Sequence, residues 1–184
     1  MPVAIILAFD EESTAILNRV YKKLKEGKFN SYYRLVVPHI TLTSYENIDL
    51  QEAMESLKQF SNSVNPFRIQ FSSFGYFPSE EGVLFLNPIA NIELLDIQQK
   101  VFDLFEGFPD DNSPKTWVPH CTLATDIPIN KMGEAIAIAK EDLIMKMGAP
   151  FYVNAQSICT VEFETGPSTI ISTHEFKFKK VEYL

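Results

Sequence analysis

Residues 38–42 read Pro-His-Ile-Thr-Leu, and residues 119–123 read Pro-His-Cys-Thr-Leu. The two copies stand 81 residues apart and take up two of the three histidines in the chain. The segments after the two copies also match. In each, a short link leads to a helix-like segment and then to a strand opened by Pro-Phe, at Pro66-Phe67 in the first half and Pro150-Phe151 in the second. A local structure that holds one copy must therefore be available twice. This predicts an internal duplication, one pseudo-symmetric unit in residues 1–184 built from two similar lobes, without the many short periods of a solenoid.

The periodicity of apolar residues supplies the elements. Val3–Phe9 reads as a strand. Asp10 can cap a helix that places Ile16, Leu17, Val20, Tyr21 and Leu24 on one face before Gly27 ends it. A second helix runs over about 50–60 after the cap Asp49, with Ala53, Met54, Leu57 and Phe60 inward. Residues 66–77 and 82–89 read as strands joined by a turn at 79–82. Asn91 caps a third helix carrying Leu94, Leu95, Ile97, Val101, Phe102 and Phe105, and residues 107–115 form a loop by composition. A fourth helix spans about 131–147 and ends at Gly148. Two last strands flank a turn at 164–168. Helices and hairpin-like strand pairs together predict an α+β fold, with antiparallel sheets flanked by helices around a central cleft.

Composition excludes several classes. Apolar residues make up 46% of the chain and charged residues 22%, an ordinary balance for a soluble protein able to fold without disulfides or structural metal. Cys121 and Cys159 stand far apart without metal-ligand spacing, which predicts reduced, buried thiols and a cytoplasmic setting. Residues 1–12 lack the basic leader of a signal peptide and read as a first strand, and no stretch is apolar for long enough to span a membrane. The net charge of −8 argues against an extended nucleic-acid surface, because long RNA or DNA is held through phosphate neutralisation. The lysine clusters at 22–25 and 177–180 read as solvated surfaces. A small anionic ligand in a local pocket stays compatible with this charge.

On a strand, alternation puts His39 and Thr41 on one face and Ile40 and Leu42 on the other, with His120 and Thr122 opposite Cys121 and Leu123 in the second copy. Two lobes related by a pseudo-two-fold would turn two His/Thr pairs toward one cleft. Metal-independent cleavage of a phosphodiester needs a base, an acid and donors for the phosphoryl oxygens. Histidine fills either proton-transfer role near neutral pH, and a hydroxyl can bind a non-bridging oxygen. Continued alternation would keep Thr43 and Tyr45 on the cleft face as substrate-binding residues, with Tyr45 able to stack on a base. Trp117, Tyr32 and Tyr33 are weaker candidates, each better read as structural. His174 lacks the motif and reads as a strand surface or edge residue.

Paired His-x-Thr motifs, one in each half of a chain this long, resemble the 2H phosphoesterase superfamily. The nearest group is the bacterial RNA 2′,5′-ligase-like and cyclic nucleotide phosphodiesterase proteins. The resemblance implies a bilobal fold around a water-filled cleft, with metal-independent, cofactor-free chemistry on 2′,3′-cyclic phosphates or 2′–5′ linkages of small nucleotides or RNA ends. It assigns His39 and His120 as the acid/base pair and Thr41 and Thr122 as phosphate-binding hydroxyls, leaving open which histidine is the base. Many relatives carry a basic residue shortly after the second motif. Here the chain reads Ala124-Thr125-Asp126, which favours a small substrate over an RNA backbone.

Two rival readings start from the same residues. A non-catalytic nucleotide-binding module would use the same cleft. A metal hydrolase fits less well, since the histidines lack helical metal-ligand spacing and threonine is a poor transition-metal ligand. The two lobes supply both halves of the site, so a monomer is expected. Substrate identity would rest on loops such as 26–37, 77–82 and 107–117.

Overall fold

The computed structural model describes residues 2–31, 36–78, 81–105, 115–147, 150–164 and 170–179, and of residues 144–147 the backbone alone. The elements run β1 (Val3–Phe9), α1 (Glu11–Glu26), β2 (Asn30–Ser31), β3 (His39–Tyr45), α2 (Leu50–Ser61), β4 (Phe67–Phe77), β5 (Glu81–Pro88), α3 (Ile92–Leu104), β6 (Cys121–Pro128), α4 (Met132–Met147), β7 (Phe151–Phe163) and β8 (Ile170–Lys177). Among the described residues these are four helices and one eight-stranded antiparallel sheet, an α+β fold as anticipated.

The caps sit where the sequence places them. Asp10, Asp49 and Asn91 each accept a hydrogen bond from the backbone N–H three residues on, filling one of the donors a helix start leaves open. The stripe on α1 buries Ile16, Leu17, Val20, Tyr21 and Leu24 as expected. On α3 the stripe is narrower: Leu94, Ile97, Gln98 and Val101 are buried while Leu95 lies 49% exposed. A stripe limited to i, i+3, i+4, i+7 suffices for a helix resting on one sheet face. Lys22 pairs with Glu26 on the surface of α1, whereas Lys23, half-buried, reaches Glu141 and the buried Asp142 on α4 rather than standing solvated. The turns at 79–80 and 165–169 fall outside the described residues, as do Gly148, Tyr32 and Tyr33.

Strand order is β2-β6-β5-β4-β7-β1-β3, with β8 on the free half of the other edge of β7. The order β1-α1-β3-α2-β4 is matched by β5-α3-β6-α4-β7. The two Pro-Phe-led strands, β4 and β7, pair antiparallel from Phe67 opposite Ala155 to Phe71 opposite Phe151. That register is symmetric about Ile69 and Val153, so the pseudo-two-fold passes between these two buried side chains. This pairing joins the two halves in one continuous sheet.

The motif strands β3 and β6 lie near opposite ends of the strand order, yet they pack against one another, so the sheet curls back on itself. One face buries the main core, including Ile5, Leu7, Leu42, Leu84, Leu123 and Ile158 under the helices. On the other face Ile6, Ala8, Cys159 and Val161 form a second, smaller apolar cluster. β1 and the later half of β7 are consequently buried on both sides. Both cysteines are buried and free.

Asp10 ties α1 to β7 as well as capping the helix. Its carboxylate accepts from Ser13 N–H at 2.9 Å and from the Asn154 side-chain amide at 2.7 Å. Burial would raise its pKa, but these hydrogen bonds outweigh burial and hold it below the ordinary value. Because the folded-state pKa is the lower one, the contribution is complete above the ordinary value and is lost as pH falls through the folded one. Asp10→Ala should cost about 1–2 kcal/mol in urea denaturation near neutral pH, and the gap to wild type should narrow toward about pH 2. An unchanged gap in acid would contradict this origin.

Candidate functional site

Both motifs start their strands, and proline explains the geometry on their N-terminal side. The residue before a proline is confined to extended conformations, and the proline fixes its own φ. The carbonyl of Val37, and likewise that of Val118, then meets the imidazole two residues on. His39 Nδ1 lies 2.7 Å from Val37 O, and His120 Nδ1 lies 2.7 Å from Val118 O. A carbonyl only accepts, so both rings carry their proton on Nδ1 in the neutral form. Nε2 is left as the nitrogen for proton exchange with a ligand. The repeat is thus Val-Pro-His-x-Thr-Leu, one residue longer than the five-residue phrase.

His39, Thr41, His120 and Thr122 are all half-buried, while Ile40, Leu42, Cys121 and Leu123 are buried in the main core, as alternation predicts. Alternation then breaks, in both copies at the same place. Ile6 pairs with Thr41 but Ile5 with Thr43, and Phe85 pairs with Thr122 but Leu84 with Ala124. Leu42 and Leu123 are the extra residues of two β-bulges. A bulge inverts the facing of everything after it.

Thr43 and Tyr45 are therefore not cleft residues. Thr43 is 0% and Tyr45 2% exposed, and the Tyr45 ring packs edge-on against Phe105 at 5.6 Å between centroids. The half-buried Ser44 and Thr125 take the His/Thr side instead. Thr125 belongs to a polar group with Asn30 of β2 and Asp126. His174 sits on β8, paired to Thr160 of β7 and away from both motifs.

Three side chains hold the motif backbones from outside. Trp117 Nε1–H donates to Thr41 O at 2.9 Å, and the Tyr21 hydroxyl donates to Thr122 O at 2.8 Å. The amide of buried Gln98 on α3 reaches Leu42 O, the carbonyl at the first bulge, at 3.3 Å. Trp117 is structural, as its sequence context suggests. The apolar stripe of α1 marks Tyr21 as a core residue and nothing more. The letters offer no signal for its second role, which depends on α1 crossing β6.

The surroundings of the two histidines differ. Around His39 and Thr41 the cross-strand neighbours are Ala8 and Ile6, part of the small aliphatic cluster. His120 lies among aromatic rings, with Phe77 edge-on at 5.0 Å and Phe85 at 5.3 Å between centroids. Burial lowers the pKa of His39, the Val37 carbonyl partly offsets this, and the charge on His120 lowers it further. Burial also lowers His120, offset in part by Val118. Each imidazole thus senses a polar backbone anchor, and His39 senses the other imidazole across the cleft. A groove of about 730 Å³ beside α3, lined by Phe60, Phe67, Ile97 and Leu104, contains neither histidine.

Comparison with known proteins follows the same lines. A family model described as the 2′-5′ RNA ligase superfamily matches residues 13–152. A protein of Oceanobacillus iheyensis named provisionally as a phosphoesterase is 28% identical over 112 residues, 59% of this chain and 64% of its own length. A similarly named protein of Bacillus mycoides is 29% identical over 54% of this chain and 58% of its own length. The matched stretch thus spans less than two thirds of these curated relatives. A Thermus thermophilus protein superimposes with a TM-score of 0.62 at 16% identity, covering 98% of this chain and 100% of that one. The apo form of Escherichia coli LigT gives a TM-score of 0.61 at 10% identity, covering 97% and 98%. These likenesses show the fold.

Gly75 controls the aromatic side of the cleft. It pairs with Phe85, and a Cβ at this position would overlap the Phe85 ring. Gly75→Ala should push that ring toward Phe77 and His120, costing about 1–3 kcal/mol of stability. Closer aromatic packing deepens the desolvation that lowers His120, so its pKa should move further below the ordinary value. Histidine NMR titration checks this; an unshifted His120 in a destabilised variant would contradict it.

Proposed function

Because the chain belongs to the 2′-5′ RNA ligase superfamily, the 2H phosphoesterases, we propose that it is a metal-independent phosphoesterase. In this reading it acts on 2′,3′-cyclic phosphate or 2′–5′ phosphodiester bonds of small nucleotides or RNA ends. His39 and His120 serve as the acid/base pair, in either order, and Thr41 and Thr122 bind the phosphoryl oxygens. The observation that carries the reading is the matched pair of anchored imidazoles, both Nδ1-protonated and each beside a threonine, on two strands packed together.

The chemistry follows from Nε2. In hydrolysis of a cyclic phosphate, one neutral imidazole takes a proton from water through Nε2 as the water oxygen attacks phosphorus. The other histidine, protonated, gives its Nε2 proton to the departing ribose oxygen as the P–O bond breaks. One water is consumed and a phosphomonoester is formed. The two histidines finish with exchanged protonation states, and proton exchange with solvent resets them. The threonine hydroxyls donate to non-bridging oxygens, where charge must be held during transfer. Which ring begins as base depends on reaction direction, since the acid of one direction is the base of the other.

Small-nucleotide substrates are favoured by the acidic balance of the chain and by Asp126 following the second motif. Among proteins of like fold, LigT has been crystallised with 3′-AMP and with ATP, and Kluyveromyces marxianus Usb1 with uridine monophosphate. A monomer in the cytoplasm completes the proposal. Among the described residues no helix is long and apolar enough to cross a membrane.

The test is turnover of nucleoside 2′,3′-cyclic phosphates and a 2′–5′ dinucleotide with EDTA present. His39→Ala and His120→Ala should each lose about 10²–10⁴-fold in kcat. Thr41→Val and Thr122→Val should lose about 10–10²-fold. One histidine must be charged and the other neutral, so the pH profile should be bell-shaped. Both pKa values are lowered, which places its maximum below about 6.5. Binding without turnover across the panel would favour the nucleotide-binding module. Activity surviving both histidine substitutions would overturn the site.

A further inference from the structure

Within the five-residue phrase the two copies differ at one position, Ile40 in the first and Cys121 in the second. Cys121 is wholly buried and free, and the acid/base chemistry makes no use of it. Polar groups nonetheless reach its sulfur. The backbone N–H of His39, in the opposite motif, donates to the Cys121 sulfur. The Tyr21 hydroxyl lies 4.0 Å from that sulfur and 2.8 Å from the carbonyl oxygen of Thr122.

The direction of each bond follows from what each group can give. The Thr122 carbonyl only accepts, so it takes the single O–H proton of Tyr21. The tyrosine oxygen then receives rather than donates toward the thiol, and the S–H must point at it. Sulfur lone pairs remain for the His39 N–H. The chain runs His39 N–H to Cys121 S–H to Tyr21 O–H to Thr122 carbonyl, with every donor used once. It requires a protonated thiol. Burial pushes the Cys121 pKa up to about 12, so the proton stays throughout the working range, and a thiol of this kind is a poor nucleophile.

We propose that Cys121 and Tyr21 are positioning residues that lock the backbone of His39 to the His120 strand and thereby set the separation of the two imidazoles. The consequence for rate rests on the two-histidine reading; the geometry does not. Ile40 offers no group for the reciprocal link, and the Trp117 hydrogen bond to the Thr41 carbonyl joins the two segments on the other side. Tyr21 anchors the Cys121 link to the buried stripe of α1.

The experiment compares Cys121→Val, Cys121→Ser, Tyr21→Phe and the double variant Cys121→Val/Tyr21→Phe. Thermal stability is followed alongside, and NMR titration of His39 and His120 gives a readout that needs no turnover. Valine removes both donor and acceptor at similar volume. It should alter the mutual influence of the histidines, seen as the change in the His39 titration when His120 is replaced by alanine. It should also lower kcat about 10-fold or more with little change in KM. Serine keeps both functions and should recover most of the loss. The double variant should lose no more than the worse single, since both substitutions cut one chain. A Cys121→Val protein whose histidines titrate as in wild type would overturn the proposal, whether or not a substrate has been found. So would losses that add in the double variant, or that track stability alone and are not recovered by serine.

Discussion

One hydrogen bond, made twice, orients both motif histidines: Nδ1–H to the carbonyl of the valine two residues earlier. Its net worth in stability is about 1 kcal/mol per copy. Its larger effect is to select one tautomer and one ring orientation, which an unanchored imidazole would not keep. Proline makes the arrangement local by restricting the valine before it and fixing its own backbone. The phrase Val-Pro-His-x-Thr-Leu therefore carries its own positioning device, and a fold that repeats it obtains two equivalent Nε2 atoms without further design.

Equivalence of the anchors throws the remaining differences into relief. An acid and a base working together must hold different protonation states, and rings of one tautomer differ in proton affinity only through their surroundings. Ala8 and Ile6 border the first motif, whereas Phe77 and Phe85 border the second. Trp117 holds the Thr41 carbonyl and Tyr21 the Thr122 carbonyl. The symmetric element is the β4–β7 register around Ile69 and Val153, deep in the sheet, while the side chains around the two histidines differ. Packing has to be shared by both lobes, but the chemistry of each histidine can be adjusted one neighbour at a time.

Helices were legible because their signals are local. Caps at Asp10, Asp49 and Asn91 and the i, i+3, i+4 stripes that each cap introduces lie within a dozen or so residues of one another. The paired motifs were legible because the phrase repeats. The bulges were not, since an extra residue is defined by the partner strand, and β1 or β5 lies tens of residues away from the strand it bends. The misplacement of Thr43 and Tyr45 follows directly: strict alternation sends them to the cleft, and one inserted leucine sends them into the core. β2, two residues paired to β6, is too short to leave a pattern. Val37 and Val118, in contrast, were within reach, because the repeat extends to them and the step before a proline is always informative about backbone direction.

A two-histidine mechanism requires both motifs to meet one phosphoryl group. A crystal structure with a nucleoside 3′-monophosphate, the form of product a cyclic phosphodiesterase could release, would test it most directly. Phosphate oxygens should lie within about 3 Å of Nε2 of both His39 and His120 and of the hydroxyls of Thr41 and Thr122. A phosphate that touched one motif alone, or that settled in the groove beside α3, would contradict it.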